Sequence, residues 1–444
     1  MRLWEFDRLG AIASEQFNIN EDGQRFVSTI LAFLWMDDEA LGFDPTIIKS
    51  DHQQYIEIQQ DMKTKRLILD KPIISGRGIV GRATTCWKAY LEGDESRPLV
   101  VKDSWQLLER EEGKLLQEAT ALGVTNVVRY YHHETVRIRA KDDDVQANIR
   151  KGLDITKASN YRIDCAQSLA VEAGIFVEIG KAVEAVEAVS RGNSSLKRPS
   201  DQTDVLVPPS KRSRLGSASH MPHPNRIHRR VILCDYGKPI YRASSRVAFL
   251  GALEGCIQGH ESLYKAGFLH RDISINNLMV NESDKNSLSS FLIDLDLAVM
   301  VNQTQPPGAK EMTGTKAFIS IGILNGSTGH SFMDDLESFF WVFFWICIHY
   351  DEWGRDRVVT EYDNWNFAKP KFLATIKRGV INTEQDFLQT VTEDFTEHYR
   401  VLVPWVNELR KVVFPDGRRW EYEDPSLYSR MREILRKAQS DPRV

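Results

Sequence analysis

Apolar positions along the 444-residue chain change period several times, and each change marks an element. FVSTILAFLW (26–35) has helical spacing, whereas YIEIQ and RLILD alternate as half-buried strands do. Residues 73 to 102 read as strands and turns: IIS, a glycine-rich turn, ATTCWKAYL, a polar turn, then PLVVK. From Ser104 the period becomes helical, with Ser104 as N-cap and Trp105, Leu108, Leu115 and Ala119 recurring at spacings of three, seven and four. A strand, NVVRYYHHETV (126–136), follows. Residues 139 to about 186 are polar apart from one amphipathic stretch, IFVEIGKAVEAVEAV. Residues 190–228 are rich in Ser, Pro, Arg and Lys, with too little apolar surface to offset the entropy of ordering, so the pattern predicts disorder. Order resumes with the strand RRVILC and a long amphipathic helix bearing Val247, Leu250, Leu253, Ile257 and Tyr264, closed by Gly267. The short strands LMV and FLIDL bracket the turn NESDKNSLSS, and the chain from about 330 is mainly helical. Its most apolar run, FFWVFFWICI (339–348), is too short to span a bilayer and fits a buried core helix.

This order gives a small strand-rich lobe with one helix, a connector, and a larger helical lobe. Hydrophobic content of 42% and charge of 27% suit a soluble globular protein, and a net charge of −5 gives no global attraction to nucleic acid or an anionic membrane. The five cysteines, at 86, 165, 234, 256 and 347, form no CxxC pair and read as reduced thiols of an intracellular protein, cytoplasmic or nuclear. MRLWEFDRLG lacks a signal-peptide core.

Four local features carry chemistry. GRGIVG sets Gly76, Gly78 and Gly81 in a G-x-G-x-x-G pattern that lets backbone approach phosphate oxygens. A dinucleotide-binding turn shares the pattern, and Asp103 mimics its ribose-binding acid, but such a turn opens a helix, and RATTCWKAYL reads as a strand. PLVVK ends on Lys102, which on its own is a lysine snorkelling from a strand end. Glu112 falls four residues after Leu108 and three before Leu115, on the apolar stripe, where a carboxylate needs a partner such as Lys102. Glu111 has nearly the same spacing, and a solvated helix face would hold both. Finally, HRDISINN places Asp272 and Asn277 in a loop, and Asp294 ends the next strand pair. Phosphoryl transfer needs a carboxylate to orient the attacking hydroxyl, which Asp272 fits, and hard oxygen ligands for Mg²⁺, which Asn277 and Asp294 fit. Any one of these acids alone is better read as a turn residue or cap. The four together, in this order, point to a kinase-like fold.

The set GRGIVG, VVKDSW, HRDISINN, LIDLDLAV, GTKAFIS and HSFMDDLESFFWVFFW resembles the fungal-type protein kinase family, a divergent branch of the protein-kinase fold. RLWEFDRLGAIASEQFNI and LGFDPTI resemble that family's N-terminal region; members usually carry more sequence before it, which implies a shortened N-terminus. The resemblance implies an α+β bilobal fold, with a small antiparallel-sheet N-lobe carrying one main helix and a mainly helical C-lobe. Residues 1–70 would be the family-specific region, 71–138 the first part of the N-lobe, 139–226 a largely disordered insert, 227–236 the last N-lobe strand and hinge, and 237–444 the C-lobe. It implies ATP and Mg²⁺ as cofactors. Gly76, Gly78 and Gly81 would cover the phosphates, Lys102 would contact them while paired with Glu112, and Asp272 would be the catalytic base. Asn277 and Asp294 would hold the metal, and backbone of Cys234, Asp235 and Tyr236 would form the adenine hinge. Leu116, four residues after Glu112, matches the kinase pattern and favours Glu112 over Glu111. Asp335 matches the aspartate that anchors the catalytic loop from below, a role compatible with a simple N-cap.

Three positions depart from typical Ser/Thr kinases. Ser274 stands where a lysine touches the γ-phosphate, and Asp294-Leu295-Asp296 replaces Asp-Phe-Gly; both match the fungal-type pattern. Ser320-Ile321-Gly322 replaces Ala-Pro-Glu, which loses a structural ion pair. Asp296 is either a further metal ligand or a solvated turn acid. The activation segment, 297–316, offers Thr304, Thr313 and Thr315 as phosphosites, with Arg271 as a phosphate partner. The expected function is an ATP- and Mg²⁺-dependent kinase acting on Ser or Thr of a protein substrate, since Gly314-Thr315 resembles Ser/Thr kinases. The alternatives are a pseudokinase, acting as a nucleotide-binding or protein-interaction module, and a small-molecule kinase, against which GTKAFIS speaks. The basic clusters LKRPS and PSKRSRL (197–214) have the look of a bipartite signal for a nuclear-import receptor, with a solvated linker the equal alternative. No folded basic surface accompanies them, so direct nucleic-acid binding is not expected.

Overall fold

Strands of the N-terminal part pair into one antiparallel sheet of seven, in the order Ile48–Ser50, Gln53–Gln60, Lys63–Ser75, Thr85–Leu91, Asp94–Leu107, Arg226–Leu233 and Tyr130–Thr135. The structure, a computed structural model, describes residues 1–50, 53–76, 78–155, 158, 225–301, 314–327, 329–351 and 354–444. The stretch IFVEIGKAVEAVEAV, the basic clusters at 197–214, Cys165, Thr304 and Thr313 lie outside the described residues. Alternation in the strands aims Ile56, Ile58, Leu67, Leu69, Ala89, Val101 and Ile232 into one apolar layer.

The lysine-bearing strand runs longer than its sequence pattern predicts. It continues through Ser104 to Leu107, because Ser104–Leu107 pair with Arg226–Arg229. The helix begins only at Glu112, with Leu108 half exposed outside it. A ladder partner more than a hundred residues away overrides the local helical spacing. The sheet also crosses the boundary expected at residue 70, since the strand Lys63–Ser75 passes through it. The beginning of the expected insert is built into the lobe as well: His228 donates from its backbone to Asp143, a π-turn spans Val145–Ile149, and Arg150 pairs with Asp7 at 2.6 Å.

The strand Arg226–Leu233 is buried along its whole length although four of its residues are cationic or histidine. Arg230 is clamped by Asp103 at 2.8 Å and by Asp44 at 3.0 Å, which ties the segment before the sheet onto it. His228 lies between Asp143, 3.1 Å away, and Asp103, 3.6 Å away. Burial would lower its pKa, but hydrogen bonds to the two carboxylates raise it to about 9.

The C-terminal part is organised around the helix Phe332–His349, every residue of which is buried. A capping box between Ser331 and Asp334 starts it. Arg246–Lys265 packs beside it, capped by Ser245 and ended by Gly267 at φ +92°, with the expected Leu250, Leu253 and Ile257 buried and Val247 exposed. Pro370–Ile381, Glu384–Asp394, Val403–Val413 and Ser426–Gln439 complete this part. Its core extends up to Leu116 and Ala119 of the helix Glu112–Ala121, joining the two lobes. The N-terminal apolar helix forms as Gly23–Trp35 but buries none of its residues. Among the described residues no helix is long and apolar enough to cross a membrane.

The raised pKa of His228 carries a pH dependence. Its contribution is fully present below the unfolded value near 6.5 and is lost as pH rises through about 9. Urea unfolding between pH 6 and 9.5 should show a loss of at most ~3 kcal/mol over that window, and His228→Gln should flatten it.

Candidate active site

The sheet and the helical part meet at a cleft of about 1260 Å³, part of it open to solvent. Its roof begins at Lys102, placed by pairing with Cys86 on one side and Val231 on the other. Its Nζ lies 2.7–2.8 Å from both carboxylate oxygens of Glu112. Burial decides between the two neighbouring glutamates: Glu112 is 1% exposed, whereas Glu111 sits just before the helix without capping it and pairs with Arg229.

The same ammonium reaches Asp294 Oδ1 at 2.8 Å, so one lysine serves two acids from opposite sides of the cleft. Burial alone would raise Asp294, but Lys102 and Arg82 outweigh it and hold the carboxyl well below the ordinary range. Burial pushes Glu112 up to about 7, and the like charges of Asp294 and Asp296 add to it against the pull of Lys102. Asp294 itself sits at φ +67°, a left-handed conformation that short polar side chains tolerate better than most.

Asp272 and Asn277 come from the loop after the strand Phe268–Leu269. Asn277 Nδ2 donates to the Asp272 carbonyl at 2.9 Å and to its carboxylate at 3.2 Å, leaving the amide oxygen as a hard acceptor. Thr315 covers Asp272 from the other side, its backbone N–H at 2.9 Å and its hydroxyl at 3.1 Å from Oδ1. Gly314, at φ +105°, permits that approach, since its position for a Cβ lies 3.0 Å from the Arg271 carbonyl. Burial, and after it the charge of Asp294, raises Asp272 above its ordinary pKa. Thr315, one of the threonines of the expected activation segment, is thus hydrogen-bonded to Asp272.

Asp335 holds this loop from below. Its Oδ2 accepts from the Arg271 backbone N–H at 3.1 Å, where Arg271 has φ +68°, and both its oxygens lie within 2.8 Å of histidines 260 and 330. It is not the N-cap of its helix; Ser331 is.

Other expected residues sit less directly on the cleft. Gly76, Gly78 and Gly81 form a turn pinned from outside by Arg8, whose Nη1 donates to the Gly78 and Ile79 carbonyls and whose carbonyl accepts from Gly81. The cleft wall beside that turn is made by Ile74, Arg82 and Thr84. Of the expected hinge, Asp235 and Tyr236 border the cleft, while Cys234 directs its thiol to the Tyr130 carbonyl. The Asp235 carboxylate instead staples Arg129 and the Leu288 N–H.

Two features escaped the sequence reading. Arg82 Nη1 lies 3.0 Å from Asp296 and 3.3 Å from Asp294; the paired acids of LIDLD signal the need for such a counter-charge, but not its source. The ion pair expected to be lost with Ala-Pro-Glu is relocated. Asp334 accepts from Ser320 at 2.5 Å and from Arg419 at 3.3 Å, and Arg419 lies against Gly322, where any Cβ would overlap its guanidinium.

A two-lobed body, with a lysine–glutamate pair in the sheet lobe facing an Asp272–Asn277 loop and Asp294 in the helical lobe, is the layout of a protein kinase. The chain belongs to the fungal protein kinase family, whose model matches residues 1–347. No curated protein matches the chain. Among solved structures it is similar to vaccinia related kinase 3, at 12% identity and a TM-score of 0.46, over 91% of this chain and 97% of that one.

The relocated pair gives a test. Gly322→Glu, which writes back the usual kinase residue, should displace Arg419 from buried Asp334 and destabilise the protein by ~1–3 kcal/mol in a urea melt. A relocation that does not exist would leave it neutral or stabilising.

Proposed function

We propose that this chain is an ATP- and Mg²⁺-dependent protein kinase that phosphorylates Ser or Thr hydroxyls of a protein substrate. The observation that carries this reading is Lys102 bridging Glu112 and Asp294 across the cleft that also holds Asp272 and Asn277. The residues fit the cofactor. Asp294 draws two cationic side chains onto itself, and Asp296 Oδ1 is buried with no hydrogen-bond donor among the described residues, so the floor of the cleft is built for positive charge. Asn277 and Asp294 would hold the metal, and Lys102 the phosphates. Bound Mg·ATP supplies the electrophilic phosphorus and the neutralisation of its oxygens.

Asp272 orients the substrate hydroxyl and takes its proton at a carboxylate oxygen as the new O–P bond forms. The bond from the γ-phosphorus to the bridging oxygen breaks, and ADP leaves with that electron pair. The preference for an aliphatic hydroxyl is supported by Thr315, whose own hydroxyl rests 3.1 Å from Asp272 Oδ1. Asn277 keeps the Asp272 carboxylate aimed, and Asp335 keeps the loop backbone in place. A pseudokinase is the second reading, favoured by one observation: Arg82 and Lys102 already neutralise Asp294.

Transfer of labelled γ-phosphate from Mg·ATP to generic protein substrates separates the two. Native protein should label them, Asp272→Asn should lose at least about 100-fold of the rate, and chelating Mg²⁺ should abolish it. Nucleotide binding by folded protein without any transfer would leave the pseudokinase reading.

A further inference from the structure

Within the kinase reading just proposed, the cleft lacks one charge: Ser274, buried on its floor, has no positive charge to set against a phosphate. The geometry points to Arg82 as the residue that supplies it. Arg82 acts as the γ-phosphate contact of this protein, and Asp296 is its anchor.

Arg82 enters from the opposite side of the cleft, directly after the glycine turn. Its backbone is fixed there: the carbonyl accepts from the Trp105 N–H at 2.8 Å, and it lies between Gly81 at φ +104° and Ala83 at φ +43°. Alanine seldom adopts such a φ, so the local backbone is shaped at a cost that an ordinary surface arginine would not require. The side chain is 12% exposed and shares the cleft wall with Asp272, Asn277, Asp294 and Thr315.

Among the described residues, the hydrogen bonds of Arg82 all leave from Nη1, to Asp294 and Asp296. A guanidinium has five N–H donors in a planar fork, so Nε and Nη2 are left for a further acceptor, and phosphate oxygens match that fork. The bond to Asp296, at 3.0 Å, is shorter than those to Asp294, at 3.3 and 3.5 Å. If a divalent cation takes Asp294, the guanidinium keeps its tighter anchor and its place in the cleft. This also gives a use for the acid that replaces the usual glycine after Asp294: a glycine there could not hold an arginine.

The test compares affinity for Mg·ATP and Mg·ADP by calorimetry on the full chain, alongside phosphate transfer. Arg82→Met should weaken ATP by about tenfold or more while changing ADP little, because only ATP carries the contacted group. Arg82→Gln, which keeps a donor toward Asp296, should lose the same ATP-over-ADP preference, and it serves if the Met variant does not fold. Adding Ser274→Lys to either variant should restore the preference and most of a transfer rate that has fallen at least about 100-fold. Equal weakening of both nucleotides, an unchanged ratio, or no rescue by Ser274→Lys would overturn the assignment and leave Arg82 a structural latch. The nucleotide ratio is read without turnover. Absence of transfer in the native protein would thus sink the kinase reading while the ratio still judged Arg82.

Discussion

Lys102 Nζ is where the two lobes are held to one another by charge. Within 2.8 Å it has Glu112 from the helix beside the sheet and Asp294 from the helical lobe, and Arg82 adds a second cation to Asp294. Buried carboxylates are costly unless paired, and removing one partner of such a pair typically costs ~3–5 kcal/mol. The cluster therefore ties the sheet lobe to Asp294, on the far side of the cleft that also holds Asp272. It also explains why Glu112, buried to the same degree as a core leucine, is tolerated in a helix with Leu116 on the same stripe.

The lower half of the cleft rests on a different device. Arg271 and Asp294 both occupy left-handed backbone conformations, which a loop holds only when its surroundings over-determine it. Asp335 does so for Arg271 by accepting its N–H while two histidines hold the carboxylate in turn. One residue earlier in the same helix, Asp334 steadies Ser320 and Arg419 under the segment that follows Thr315. Two adjacent acids at one helix end thus secure two different loops.

Much of this was legible because it depends on local pattern. The helix stripe singled out Glu112 and Glu111, the family resemblance at Leu116 favoured the former, and Asp272 and Asn277 rose above ordinary turn chemistry only through their order with the glycine turn, Lys102 and Asp294. Asp335 was identifiable at the head of its apolar helix. What could not be read depends on partners far apart in the chain. The strand past Ser104 exists because of Arg226–Arg229, and Arg419 meets Gly322 from almost a hundred residues away. Arg82 lay in plain view but inside a motif that draws attention to its glycines. The turn itself is held by Arg8, from a hairpin whose two strands, Trp4–Asp7 and Gly10–Ala13, carry no sign of that contact.

The helix Phe332–His349 has a consequence for how freely this protein can vary. A helix with one face in water accepts most substitutions on that face at little cost, commonly within about 0.5 kcal/mol. None of the eighteen residues in this helix has such a face. Its aromatic positions are bounded by other rings, and Asp334, Asp335 and Glu337 each hold backbone or side-chain donors. Substitution along it is best met by a compensating change in a neighbour, so this segment has little room to drift.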